Sequence, residues 1–277
     1  MTGVQTCALP ILAVWDCYAR QQGVPLRTLL GGDRTELGVG ASLGMQQGPT
    51  GIADTLDTVR RHVEQGYKRV KLKIEPGWDV EVLRAVRAEF PFIELTVDAN
   101  SAYTLNDLDL LREIDTFGLH YIEQPLHWDD LTDHVKVAEA LHTPICLDES
   151  LTSPARVRAA IELGACSVVN VKVARVGGLQ AVREIHDYCV ARGVPLWCGG
   201  MLETGVGRAA NVALAALPGF TLPGDTSASN RYYRVDVTEP FVLEDGRLRV
   251  PTGPGIGVAP IPEVLADLTV WRDELRR

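Results

Sequence analysis

Five charged residues recur along the chain at an almost constant interval. Lys73, Asp98, Glu123 and Asp148 follow one another at 25-residue steps, and Lys172 comes 24 residues later. Each stands near the end of a short apolar run, and an amphipathic stretch separates it from the next. This interval is typical of one strand plus one helix, so the five side chains are expected at the carboxyl ends of neighbouring parallel strands.

The three central acids, Asp98, Glu123 and Asp148, are called the acid trio below. Three carboxylates brought together in a medium of low dielectric repel one another, and protonation or a cation must relieve them. Oxygen ligands without His or Cys favour a hard ion, Mg²⁺ or Mn²⁺, over zinc. The acid trio is therefore the candidate metal site, with Asn100 and Glu149 as candidate supporting residues. The alternative is that each acid forms a separate surface salt bridge.

The lysines stand on both sides of the acid trio in the chain. Lys71 and Lys73 alternate with apolar residues in "VKLKI" (70–74), so both ammonium groups point to the same strand face. An ammonium close to another ammonium and to a divalent cation has a lowered pKa, as a general base requires. We predict Lys73 and Lys172 as the catalytic lysines and Lys71 as the electrostatic support of Lys73. On its own, the Lys71/Lys73 pair would instead indicate a solvated edge strand.

A base on each side of a metal-bound carboxylate indicates one kind of chemistry. The proton on the carbon next to a carboxylate is very weakly acidic, and its removal leaves an enediolate that cations stabilise. The enediolate then either takes back a proton, on the same or the opposite face, or expels a leaving group from the β carbon. The residues thus predict racemisation, epimerisation or elimination.

Alternating strands and helices must place these residues. The sequence predicts eight strands, at 37–44, 69–74, 93–100, 120–126, 144–150, 167–173, 194–200 and 220–225. Helices are expected at Ile52–Glu64, Leu105–Thr116, after Ser153 up to Gly164, at Leu179–Arg192 and at Glu263–Arg276. Eight such units favour a closed TIM-type barrel of α/β class over an open doubly wound sheet. The open sheet is further disfavoured because no G-x-G-x-x-G follows the first strand.

Bulk composition limits the partners. The chain has 277 residues, a net charge of −9 and a pI near 5.2, which argue against nucleic acid or an anionic membrane surface. No apolar run approaches the length of a membrane span. Six cysteines form no C-x-x-C pair and no zinc-type cluster with histidine, which is typical of reduced core thiols in a cytoplasmic protein. A small carboxylate is the expected substrate.

The first eleven residues, "MTGVQTCALPI", match the translation of a common sequencing adapter at every position. We therefore expect residues 1–11 to be non-native, native sequence to begin near Leu12, and the natural protein to extend further upstream. Residues 37–227 are the predicted catalytic barrel, and residues 228–277 are a C-terminal segment of irregular chain and short strands.

Several strings in the sequence resemble a known family. These are "KLK", "VDAN", "IEQP", "LDES" and "NVKVARVGG", together with "VPTGPGIGV" and the run that begins "GGMLETGVGRAANVALAALPG". They resemble the enolase superfamily, muconate-lactonizing subgroup, and in particular the o-succinylbenzoate synthase / N-acylamino acid racemase family. The resemblance implies a (β/α)7β barrel and a homo-oligomer. It also implies that the acid trio holds Mg²⁺, with Mn²⁺ as the other possibility, and that Lys73 is the acid/base catalyst, Lys172 its partner and Lys71 its assistant.

The resemblance also implies an activity. It is syn-dehydration of a cyclohexadiene carboxylate to o-succinylbenzoate in menaquinone synthesis, with racemisation of N-acylamino acids as a second reaction, and Gly200 and Met201 would line the acyl pocket. The alternatives are a dedicated N-acylamino acid racemase, a dipeptide epimerase, a muconate-type cycloisomerase or a non-catalytic barrel. Family members carry an N-terminal α+β capping domain, of which only residues 12–36 correspond here, so we expect poor turnover by this chain.

Overall fold

The computed structural model describes residues 3–273. Its strands are β1 (Glu36–Gly38), β2 (Gly40–Leu43), β3 (Arg69–Lys73), β4 (Leu95–Asp98), β5 (Ile122–Glu123), β6 (Ile145–Leu147), β7 (Val168–Val171), β8 (Leu196–Cys198) and β9 (Arg247–Arg249). Strands β2 to β8 form a parallel sheet in sequence order. The predicted parallel α/β architecture is therefore confirmed.

Helices connect and cover these strands. They are α1 (Gly3–Gln21), α2 (Leu26–Leu30), α3 (Gly51–Glu64), α4 (Val80–Glu89), α5 (Leu108–Asp115), α6 (Leu131–Ala140), α7 (Pro154–Leu163), α8 (Val173–Val176), α9 (Leu179–Val190), α10 (Gly205–Ala215) and α11 (Pro262–Leu268), with single 3₁₀ turns at Leu105–Asp107 and Ser229–Arg231. Within residues 3–273, no helix is long and apolar enough to cross a lipid bilayer.

The eighth predicted strand, 220–225, closes the ring without forming a regular strand. The Leu222 N–H donates to Leu196 O (3.2 Å) and the Asp225 N–H to Cys198 O (2.9 Å), both on β8. On the other side the Gly40 N–H, at the start of β2, donates to Gly224 O (2.8 Å). The segment therefore occupies the eighth position between β8 and β2, as expected for a (β/α)7β barrel.

Local signals placed several helices correctly. Ser153 caps α7 by accepting the Arg156 N–H at 3.2 Å, and Gly164 ends the same helix in the left-handed conformation. Thr104 and Asp107 form a capping box at the start of the helix predicted over Leu105–Thr116. That helix opens with the 3₁₀ turn before α5 begins.

The first strand and the last helix are among the elements whose boundaries differ from the sequence prediction. The segment 37–44 is split at Val39. The part before Val39 belongs to β1, which pairs with β9 in a separate two-stranded sheet, and the part after it is β2, which joins the barrel. The last helix, expected over Glu263–Arg276, ends at Leu268, and residues 274–277 lie outside the described residues. Helix α1 runs through the expected start of native sequence near Leu12, so that boundary stays a prediction.

Apolar side chains form two separate cores. The larger one lies between the strands and the surrounding helices and includes Leu95 and Val97 of β4. The smaller one lies inside the barrel and consists of Tyr121, Cys146, Val168 and Trp197 with Leu222 packed against it. Tyr121, Cys146 and Val168 stand two residues before Glu123, Asp148 and Asn170 along the chain, so they lie on the same face and form an apolar layer beneath the polar groups.

Candidate active site

The strand ends bring the predicted residues to one end of the barrel. Lys73, Asp98 and Glu123 are the last residues of β3, β4 and β5, and the sheet register pairs Lys73 with Asp98 and Asp98 with Glu123. Asp148 follows β6 directly, and Lys172 follows β7. Because the strands are parallel and adjacent, all five side chains start from the same end of the ring.

Lys73 is bound by the acid that follows it in the sheet order. Its Nζ atom lies 2.6 Å from Asp98 Oδ2 and also donates to Asn100 Oδ1. The Asn100 backbone N–H donates to Asp98 Oδ1 at 3.0 Å, and its side-chain amide donates to Glu149 Oε1 at 2.9 Å. Asn100 therefore links Lys73, Asp98 and Glu149.

Lys71 lies deeper in the barrel than Lys73, on the same strand face. Its ammonium is 2.7 Å from Glu123 Oε2, 3.4 Å from Asp98 Oδ2 and 3.0 Å from Asp225 Oδ2. Burial alone would lower its pKa, but the three carboxylates raise the pKa of Lys71 well above its usual value. The charged form of Lys71 is therefore favoured in this arrangement.

Glu123 stands at the centre of the ring and is fully buried. The Asn170 side-chain amide donates to its Oε1 atom at 2.8 Å. The pKa of Glu123 is raised to about 8 overall: burial raises it most, the Lys71 ammonium lowers it, and the charges of Asp98 and Asp148 raise it. The charges of the two flanking acids thus act on the pKa of Glu123, as expected when carboxylates converge.

Lys172 is held by the third acid of the trio. Its Nζ atom lies 2.8 Å from Asp148 Oδ2, and the Arg175 guanidinium binds the other oxygen of Asp148. Burial alone would lower the pKa of Lys172, but Asp148 raises it above the usual value. The lowered pKa that was expected for a lysine base is thus not found for Lys172 in this ion pair, because Asp148 stabilises the charged form.

A cavity of about 150 Å³ opens beside Lys172. Met201 lines it, together with Leu179 and Gly199, and its walls are mainly apolar. Gly200 is not part of this lining. A Cβ atom on Gly200 would lie 2.0 Å from the backbone oxygen of Asp225, so Gly200 allows the ring-closing segment to approach β8.

The residues at the barrel end fit a hard divalent cation by their chemistry. All candidate ligands offer carboxylate oxygens, and the charges of Asp98 and Asp148 are among the causes that raise the pKa of Glu123, so a cation would offset this repulsion. Glu149 Oε2 is buried and has no hydrogen-bond partner within the described chain. In this conformation each acid of the trio is paired with a cationic side chain, and within residues 3–273 no three His, Cys, Asp or Glu side chains stand close enough to hold one ion.

Sequence reasoning missed several residues that complete the site. Asp225 binds both Lys71 and Arg69, and Asn170 binds Glu123. Trp197 packs in the smaller core, and its ring also lies 4.6 Å from the Lys71 ammonium, a cation–π distance. A usable signal was present, because Asp225 ends the eighth predicted strand just as the other charged residues end theirs.

Comparison with known proteins gives a consistent picture. The enolase C-terminal domain-like family matches residues 54–264. The chain is 53% identical over 264 residues to an N-succinylamino acid racemase from Amycolatopsis sp, a match that covers 94% of this chain and 71% of the relative. It is 54% identical over 246 residues to an o-succinylbenzoate synthase from Geobacillus stearothermophilus, covering 88% of this chain and 65% of that relative.

Solved structures agree with these matches. A crystal structure of an enolase superfamily member from Listeria innocua superposes with a TM-score of 0.88 at 45% sequence identity. The match covers 92% of this chain and 68% of that one. The chain thus spans roughly two thirds of the length of the relatives that it matches.

Proposed function

Because the chain belongs to the enolase C-terminal domain-like family, we propose that its barrel removes a proton from the carbon next to a substrate carboxylate. The product of this step is an enediolate. We propose syn-dehydration to o-succinylbenzoate as the main reaction, with racemisation of N-succinylamino acids or other N-acylamino acids at the same site. The observation that carries the proposal is the pairing of Lys73 and Lys172 with acids at opposite ends of the acid trio.

The lysines divide the work by position. Lys73, partly exposed at the mouth of the barrel, takes the proton from one face of the substrate and can return it to a leaving hydroxyl on that face. Lys172 faces the substrate from the other side and delivers a proton there, which inverts the carbon in racemisation. Lys71 stays charged beneath them and stabilises negative charge on the acid trio and the substrate.

The acid trio is proposed to hold Mg²⁺, with Mn²⁺ as a substitute, and Asn100 and Glu149 support it. When bound, such an ion would lower the cost of the negative charge that develops on the substrate carboxylate. Ion binding requires Lys71, Lys73 and Lys172 to share or release the oxygens that they contact here.

A dedicated racemase is the second candidate. The identities to the racemase and to the synthase differ by a single percentage point, 53% against 54%. Lysines on both faces are needed for racemisation, whereas syn-elimination can use one. We propose that Met201, in the cavity beside Lys172, contacts the acyl or succinyl group in both reactions, whereas Gly200 lies outside the cavity lining and gives the backbone of Asp225 its space.

The setting of the reaction is also a proposal. The buried cysteines Cys146, Cys166, Cys189 and Cys198 are free thiols, as is the exposed Cys17, which suits a reducing compartment such as the cytoplasm. We propose a homo-oligomer that acts on a free small carboxylate in the pathway to menaquinone, without nucleic acid or membrane as partner.

Two assays on the purified protein with Mg²⁺ test the proposal. Formation of o-succinylbenzoate is followed by absorbance, and loss of optical rotation from one enantiomer of an N-succinylamino acid is followed by polarimetry. We expect Lys73→Ala to lose at least about a hundredfold in both rates, because general acid–base catalysis contributes that much. Lys172→Ala should lose racemisation more than dehydration.

The matched control is Lys136→Ala, which removes an exposed lysine paired with Asp133 far from the barrel mouth. This variant should keep both rates. Because poor turnover is expected of this chain, the wild-type rates should be low but above the enzyme-free background. If neither rate exceeds that background, or if Lys73→Ala behaves like the control, the proposed chemistry is wrong.

A further inference from the structure

Asp225 lies inside the barrel beneath the acid trio. Its Oδ1 atom accepts from the Arg69 guanidinium at 2.6 Å, and its Oδ2 atom lies 3.0 Å from Lys71 Nζ. The two cations hold the pKa of Asp225 below its usual range, although burial alone would raise it. Asp225 is therefore a buried anion shared by two buried cations.

The backbone fixes Asp225 firmly. Its N–H donates to Cys198 O at 2.9 Å, and Gly200 leaves the space in which the Asp225 carbonyl sits. Gly224, next to it, has room for a hydrogen only, because a Cβ there would lie 2.7 Å from Cys198 O. The ring-closing segment, 220–225, thus fixes the position of the Asp225 carboxylate along the barrel axis.

Lys71 stands between two groups of acids. On the mouth side its ammonium contacts Glu123 at 2.7 Å and Asp98 at 3.4 Å, and on the inner side it contacts Asp225. Without Asp225, only Glu123 and Asp98 would neutralise this ammonium, and both belong to the proposed metal site. Lys71 would then compete directly with a divalent ion for their oxygens.

We propose that Asp225 is a positioning residue: it holds the Lys71 ammonium on the inner side of the barrel and so leaves oxygens of Glu123 and Asp98 available to the divalent ion. The inference rests on the proposed function, because it assumes that the acid trio binds this ion. Arg69 keeps Asp225 ionised and in place, and the Trp197 ring supports the ammonium from the side.

Calorimetric titration with Mg²⁺ tests the proposal without any turnover. The proteins are the wild type, Asp225→Asn, Lys71→Met and the double variant. We expect Asp225→Asn to weaken Mg²⁺ binding about tenfold, the size of one lost charge interaction. In the Lys71→Met background the same change should have almost no effect, because the competing ammonium is gone. An equal loss in both backgrounds, or no loss in the wild-type background, would overturn the proposal.

Two further variants separate positioning from folding. Asp79→Asn changes another buried carboxylate, which caps α4 and accepts from Tyr103, and should leave Mg²⁺ affinity unchanged. Arg69→Met combined with Asp225→Asn removes both partners of one ion pair, so neither charge is left without its partner. This double variant keeps the proposal testable if Asp225→Asn alone does not fold. It should show the same tenfold loss, and wild-type affinity in this double variant would contradict the proposal.

The outcome also separates this inference from the proposed function. If the wild type does not bind Mg²⁺, the metal site itself is wrong and the role of Asp225 falls with it. If the wild type binds Mg²⁺ and Asp225→Asn binds it equally well, the proposed function stands and only the positioning role is wrong.

Discussion

Replacing Lys71 by Met is the most informative perturbation of the barrel interior. The side chain is 4% exposed, and its ammonium contacts carboxylates of Glu123, Asp225 and Asp98 within 3.4 Å. Methionine fills a similar volume without the charge. The variant therefore leaves Glu123, which is fully buried, without the cation that partners it in this structure.

The expected cost follows from this burial. Removing one partner of a buried ion pair typically costs about 3–5 kcal/mol, because the other charge stays buried and uncompensated. For a chain of this size, that loss lowers the melting temperature by about 10 °C. Thermal unfolding followed by circular dichroism, with a chelator present, measures the loss.

Added Mg²⁺ should then restore much of the stability. The ion replaces the missing positive charge, and no Lys71 ammonium competes for Glu123 and Asp98. The rise in melting temperature on adding Mg²⁺ should therefore be larger in Lys71→Met than in the wild type.

Lys136→Met is the control, since it makes the same chemical change at an exposed ion pair. It should change neither the melting temperature nor the Mg²⁺ response. A Lys71→Met protein as stable as the wild type in chelator would refute the reasoning, and so would an unchanged response to Mg²⁺.

Three further results are expected. Burial lowers the pKa of His134 below its value in an unfolded chain, so the free energy of unfolding should be full above about pH 6.5 and fall below that pH by up to about 1.4 kcal/mol per pH unit. Urea unfolding from pH 8 to 5 measures this pH dependence, and His134→Gln should flatten it. Gly200→Ala should cost about 1–3 kcal/mol in urea unfolding, because the new methyl group meets the Asp225 backbone. A crystal structure at high resolution should show ordered water at Arg69 Nε and Nη1 and at the Tyr121 hydroxyl, which are buried without partners in the described chain.

Each of these has its own control. His120→Gln changes an exposed histidine and should leave the pH dependence as it is in the wild type. Gly44→Ala places a methyl group where no atom lies within 4 Å and should cost little. A flat pH profile in the wild type, a harmless Gly200→Ala, or a dry barrel interior would each contradict the corresponding argument.

The barrel and its charged ring could be predicted from the sequence because one period governs both. A strand–helix unit of nearly constant length put Lys73 and its four partners at equivalent strand ends. The ion pair of Arg69 with Asp225 could have been found by the same rule, since Arg69 lies two residues before Lys71 and Asp225 ends the eighth segment. Both were missed because single charges in otherwise apolar runs gave no reason to pair them.

Other features depend on contacts that sequence patterns do not contain. The split at Val39 follows from the pairing of β1 with β9, which lies more than 200 residues further along the chain. The raised pKa of Lys172 follows from its ion pair with Asp148, whereas a pattern of charges suggests only that lysines and acids are near each other. The last helix stops at Leu268, although its periodicity favoured a longer one.

Anomalous diffraction from crystals soaked in Mn²⁺ would test most directly whether the acid trio holds the ion between two lysines. We expect a single strong peak at the mouth of the barrel, within bonding distance of oxygens from Asp98, Glu123 and Asp148, with Lys73 and Lys172 on opposite sides. A peak elsewhere, or an acid trio still occupied by the lysine ammonium groups at saturating Mn²⁺, would contradict the account.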